Sequence, residues 1–313
     1  MAEYLIAGNY GDKVHTNIHS ELIRRTDRGY FLIKPAKTKP VRLLHVKNWL
    51  GPKTLSLDSL SNVLLDIPGF DGRQRSGTYI IEPLRAGLGH SVGRVARPTM
   101  GWGAALATID NETQRVIANR IRYSVHLHER LLELGNTIDL VRENLPVFGN
   151  STRDILMVAC LEVEALFKLL MFKDYQAERG NIERYWRVSK HAKLPDYIVS
   201  LAEAPELGEI RPFSEWSDEG EVSYRPLPWY QAYNLAKHNA VRGNEVANLE
   251  HALTAICAGV VLINALQGSH GLTLSKRVIE SFRGSFQMIG KPSWSPGDYY
   301  YKVPGQDLQI TPL

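Results

Sequence analysis

"STRDILMVACLEVEALFKLLMF", Ser151–Phe172, is the stretch on which the fold class turns. Ser151 or Thr152 can cap a helix, and Asp154 follows in the first turn, where a negative charge offsets the helix dipole. The residues beyond are apolar nearly all the way round, which predicts a helix at the centre of a bundle. Glu162 interrupts that pattern on the face of Ile155, Val158, Ala159, Leu166 and Leu169. A lone carboxylate there pays a heavy desolvation cost unless it is paired. Glu164 has Lys168 one turn away, whereas Glu162 needs a partner from another helix.

The richest source of partners is "PLPWYQAYNLAKHNAVRGN", Pro226–Asn244. Tyr230, Asn234 and His238 recur at helical spacing, and Trp229, Tyr233 and Lys237 form the neighbouring row. Lys237 and His238 are the expected partners of Glu162, with Tyr230 and Tyr233 as neutral alternatives. Two readings follow. The network fixes how the helices register, or Glu162 orients a catalytic His238 and raises its pKa. His238 and Lys237 also suit a helix C-terminus, where positive charge offsets the dipole.

Two further helices flank these segments. "NETQRVIANRIRYSVHLHERLLELG" runs from an Asn111 cap to Gly135, with Ile117, Ile121, Val125, His128 and Leu132 on its apolar stripe. His126 lies on the opposite, charged face. "NEVANLEHALTAICAGVVLINALQG" is expected from an Asn244 cap to a Gly268 stop. Its apolar run, Ala252–Leu266, is too short to span a bilayer and predicts a core helix, not a membrane anchor.

Residues 1–104 differ in character, being punctuated by Gly and Pro. Short strands are expected at 29–35, 41–46 and 77–81 within an otherwise irregular region. The bundle is expected over 105–290, with the aromatic tail 291–313 docked on it through Trp294 and Tyr299–Tyr301. The first 100 residues hold 15 Lys/Arg against 8 Asp/Glu, net +7, and the other 213 hold 22 against 25, net −3. That asymmetry hints at RNA or another polyanion as a partner of residues 1–100; the alternative reading is a merely solvated basic surface.

Cys160 and Cys257, the two cysteines, lie in apolar helical runs and read as buried free thiols of a reducing compartment. The start "MAEYLIAGNYGDK" lacks the basic, then apolar pattern of a secretory signal, so the expected location is the cytoplasm. No CxxC, HExxH or GxxxxGK[ST] occurs, so neither a metal site nor a cofactor is expected. "GLGHSVG", Gly87–Gly93, has its glycines one residue too far apart for a dinucleotide fingerprint.

The ordered series "TRDILMVACLEVEALFKLLM", "RPFSEW", "LPWYQAYNLAKHN", an apolar helix and a Pro-Ser-Trp tail resembles a family of uncharacterised bacterial proteins with HEPN-like helical bundles. The likeness covers about residues 105–305. It implies a mainly α fold, a homodimer, and an RNA-directed role, at its fullest a metal-independent endoribonuclease in phage defence or stress response. Such enzymes pair an Arg with a His after four to six intervening residues, as a phosphate clamp and a base for the 2′-hydroxyl. Here no Arg precedes His238 at that spacing, since Gln231, Ala232 and Tyr233 stand there, and Arg242 follows it. The spacing does occur at Arg85/His90, Arg120/His126, Arg122/His128 and Arg184/His191. Arg120 and His126 are therefore secondary site residues. The principal expectation is catalysis by His238, Glu162 and Lys237, with Arg242, Asn234, Tyr233, Tyr230 and Trp229 holding substrate. The alternative is a non-catalytic interaction or nucleic-acid-binding module whose polar cluster is structural.

Overall fold

A computed structural model describes residues 4–7, 21–26, 29–36, 53–55, 78–83, 86, 89–99, 103–105, 111–171, 182–217, 224–239, 243–267, 276–294, 298–300, 308–311 and 313. The described chain is mostly helical with a few short strands. It divides into two compact units. One comprises Met1–His90, Pro98–Gly103 and Trp294–Leu308; the other comprises Ser91–Arg97, Ala104–Ser293 and Gln309–Leu313.

The first unit holds an antiparallel sheet of strands β1 (Tyr4–Ala7), β2 (Glu21–Thr26), β3 (Gly29–Ala36), β4 (Lys53–Leu55) and β5 (Thr78–Pro83), in the order β1-β2-β3-β5-β4. Two of the expected strands fall within β3 and β5, whereas residues 41–46 lie outside the described set. The region is thus more ordered by pairing than its Gly and Pro content suggests. Register is regular from Thr26 opposite Gly29 to Leu22 opposite Ile33. Tyr300 is fully buried, and its N–H donates to the Pro98 carbonyl at 3.0 Å within this unit.

The second unit is a helical bundle: α1 (Asn111–Gly135), α2 (Asn150–Met171), α3 (Ile182–Ala192), α4 (Pro228–His238), α5 (Gly243–Val246), α6 (Leu249–Gln267) and α7 (Lys276–Ser285). α6, not α2, occupies the centre, which corrects the sequence expectation. Residues Ala255–Ile263 of α6 are all buried. By length and hydropathy this helix could cross a membrane, but 78% of its apolar window is enclosed within the protein, as befits a core helix. α2 packs chiefly on α6 and exposes its far side, where Leu161 is 51% exposed. Both helices are apolar all round, so composition alone does not say which one is enclosed.

The ends of these helices explain much of the local folding. α6 starts at Leu249 because the Asn248 side chain accepts the His251 N–H at 2.9 Å, an N-cap that precludes one continuous helix from Asn244. At the start of α2 the Thr152 hydroxyl accepts the Gly149 N–H at 2.9 Å. The orphan carbonyls at the far ends are met by the segment preceding the bundle. The Arg94 N–H donates to Leu170 O and the Ala96 N–H to Ala265 O, which stops α2 and supports the last turn of α6. Gly93 makes this possible, with φ at +52° and its N–H donating to Thr311 O. A Cβ there would stand 2.5 Å from the Leu170 carbonyl oxygen. The boundary expected near residue 104 is therefore interleaved. Ser91–Arg97 and Gln309–Leu313 belong to the helical unit, and the aromatic part of the tail belongs to the other.

Candidate functional site

α4 begins with Pro228 at its first position, after an extended Leu227. Its inner face is aromatic. Trp229 is buried, donates its indole N–H to Pro212 O at 2.8 Å, and meets Phe213 edge-on. Phe213 also meets Phe167, which stacks flat on Tyr185 with ring centroids 4.4 Å apart. Trp229, expected to touch substrate, is instead a core anchor.

Tyr230 leaves the aromatic core by its hydroxyl, which donates to Glu164 Oε1 at 2.8 Å. Burial first, and then that carboxylate, push the phenol far above its usual range, so it stays neutral. Tyr233 is fully buried one turn later. Its hydroxyl makes no hydrogen bond of ordinary geometry, yet burial and the nearby charge of Glu164 raise its pKa to about 12. Lys237 Nζ stands 5.4 Å from the Tyr233 ring centre, a cation–π contact by an exposed ammonium. Beneath this group lies the buried Cys160, a free thiol held well above its usual pKa by burial and by Glu164. Cys257 is likewise free and buried.

Glu162 has a different partner from the one expected. Arg120 Nη1 donates to both its oxygens, at 2.6 and 2.7 Å. The pair bridges α1 and α2 with side chains 34% and 16% exposed, so the carboxylate sits at the rim of a helix contact and not in the greasy centre. Glu162 and Glu164 are only two positions apart, and this turns them to opposite flanks of α2. One meets α1, the other α4. Neither Lys237 nor His238 engages Glu162; both are exposed at the end of α4. Asn234 is half-buried, and Arg242 lies outside the described residues.

The secondary pair is also separated. Arg120 is committed to Glu162, while His126 is exposed, 3.7 Å from Glu129 and 6.0 Å from the Tyr123 ring. Among the described residues, His128 is the histidine that the fold encloses, as its place on the apolar stripe of α1 indicates. It is 1% exposed, set edge-on to Phe286, with Nε2 3.3 Å from Glu203 Oε2 but without hydrogen-bond alignment. Burial lowers its pKa, against the opposing pull of Glu203 and Glu129. Among the described residues, no three His, Cys, Asp or Glu side chains gather closely enough to hold a metal ion.

The geometry thus brings Tyr230 and Tyr233 together around Glu164, with Lys237 against the Tyr233 ring, and leaves His238 and Glu162 in separate surroundings. A neutral phenol bonded to a carboxylate can fix an interface or donate a hydrogen bond; it is not a poised base at neutral pH. Compared with protein-family models, with curated proteins and with solved structures, the chain finds no match.

Proposed function

We propose that this chain is a non-catalytic interaction module built on a HEPN-like bundle, in which the polar cluster of α4 holds helices together. One observation carries the reading: the carboxylate expected to serve His238 is engaged by another helix, and so is its neighbour Glu164. Arg120 of α1 takes Glu162, and Tyr230 of α4 takes Glu164. A general base needs an orienting partner and a pKa matched to its task, and His238 stands exposed without that carboxylate. The partner favoured by charge is RNA or another cytoplasmic polyanion, met through the basic residues of 1–100.

A second reading, a metal-independent endoribonuclease of phage defence or stress response, draws support from Lys237 and His238 standing exposed side by side. Incubating the full chain with labelled RNA in chelator separates the two. The binding-module reading expects retention of RNA without cleavage, and the same result from His238→Ala. Cleavage by the wild type that His238→Ala abolishes would overturn it in favour of the nuclease. Failure to retain RNA under low salt would remove RNA as the partner.

A further inference from the structure

α3 presents a basic outer face that the α4 cluster does not use. Its inner face is fixed: Tyr185, Val188, Ser189 and Ala192 are buried, and Tyr185 stacks on Phe167 of α2 with ring centroids 4.4 Å apart. Lys190 and His191 follow Arg187 by three and four residues, so the three share the opposite face, and all are exposed. Glu183, one turn earlier, is the only acid in the helix. Trp186 is partly exposed beside them, and Lys190 Nζ stands 4.4 Å from its ring centre. That cation–π contact fixes where the ammonium stands before any ligand arrives.

Basic residues in a last turn often do no more than offset the helix dipole. Here other groups meet the end of α3. The buried Arg97 donates from Nη2 to His191 O at 2.8 Å, and the chain then turns at Lys193, whose φ is +49°. Lys193 Nζ in turn donates to Ser293 O at 2.7 Å. A buried arginine already opposes the terminal carbonyls, so the dipole does not account for Lys190 or His191, still less for Arg187 a turn earlier. Two long cationic side chains one turn apart, one of them held by an aromatic ring, suit successive phosphates of a flexible strand. We infer that the outer face of α3, centred on Arg187 and Lys190 with Trp186 supporting Lys190, binds the phosphate backbone of single-stranded RNA. The kind of ligand rests on the RNA reading above; the site is a further one, in the helical unit and outside residues 1–100.

Fluorescence anisotropy of a labelled single-stranded RNA of mixed sequence, titrated with the full chain over a salt series, tests it. Arg187→Gln and Lys190→Gln should each reduce the slope of log affinity against log salt by about 0.7. The same slope implies about fivefold weaker binding for each at about 0.1 M salt. Both side chains are exposed, so the melting temperature should stay at the wild-type value. Trp186→Leu keeps every charge and should weaken binding with the slope unchanged; binding equal to the wild type would strike the support assigned to the ring. Arg211→Gln, which removes an exposed cation paired with Glu209, should match the wild type. RNA held as tightly by Arg187→Gln and Lys190→Gln as by the wild type overturns the inference and leaves the RNA reading standing, with its contact elsewhere. No retention of RNA by the wild type removes both. A loss as large in Arg211→Gln overturns the inference too, because net charge alone would then govern binding. So does a wild-type chain that prefers anionic vesicles or an acidic peptide to the RNA.

Discussion

Tyr230 of α4 and Glu164 of α2 are joined by a 2.8 Å hydrogen bond in which the phenol is the donor and the carboxylate the acceptor. It is one polar stitch between these two helices; Arg153 of α2 adds another by donating to Ala236 O of α4 at 3.1 Å. Tyr230→Phe keeps the ring but strands the carboxylate beside apolar surface. A hydrogen bond to a charged acceptor contributes roughly 1.5–3 kcal/mol, and partial solvent access to Glu164 places the expected loss near the lower end. Urea denaturation of Tyr230→Phe, Glu164→Gln and the double variant reads the coupling directly. Additive losses would mean the two side chains do not act as a pair.

Tyr233→Phe should behave in the opposite way, although it removes the same atom one turn along. Its hydroxyl is enclosed without a hydrogen bond, so deleting it relieves an unsatisfied buried group. Stability at pH 7 should be unchanged or rise by up to about 1 kcal/mol. The alkaline side gives a second readout. The folded pKa is raised, to about 12, so the unfolded chain loses this proton first and stability falls as pH climbs from about 10 toward that value. Tyr233→Phe should flatten that part of the profile, and an unaltered slope would count against the assignment.

Arg120 and Glu162 should couple more weakly, because the arginine is a third exposed and solvent screens the pair. Replacing either side chain should cost up to about 1 kcal/mol, and the coupling should shrink as salt is raised. A double-mutant cycle repeated at low and high ionic strength measures both. Coupling that is unchanged by salt would indicate a contact held by packing.

How far the sequence reveals this arrangement differs from element to element. The span of α1 reads directly because Asn111 and Gly135 punctuate a regular apolar period. Its stripe is rotated slightly from expectation, since Ser124, Leu127 and Leu131 are buried while Val125 and Leu132 are half-exposed. α6 is legible as a core helix from its apolar run Ala252–Leu266, though not as the central one. The partner of Glu162 is not legible, because pairing across helices depends on their relative rotation and translation. Spacing along one chain does not encode either. Two carboxylates two residues apart look alike in sequence, yet only packing decides that one faces α1 and the other α4. The five-stranded sheet is obscured for a similar reason: its pairings join β3 to β5 across more than 40 residues, beyond the reach of local pattern.

His128 offers the last prediction, on the acid side. The ring is enclosed against Phe286, with Glu203 and Glu129 as the charged groups near it. Burial dominates, so the folded pKa lies below the ordinary 6.5. The unfolded chain therefore takes up this proton first as pH falls. Stability that is intact above about pH 6.5 is lost below it, with a slope approaching 1.4 kcal/mol per pH unit until the folded pKa is reached. His128→Gln keeps a polar side chain of similar reach without a titrating proton, and should remove that slope. Comparing urea midpoints at about pH 7.5 and pH 5.5 keeps the measurement above the range where ordinary carboxylates protonate. A variant that loses stability over this interval as steeply as the wild type would show that protonation of another group drives the change. Steady stability in the wild type would mean that Glu203 and Glu129 compensate the burial in full.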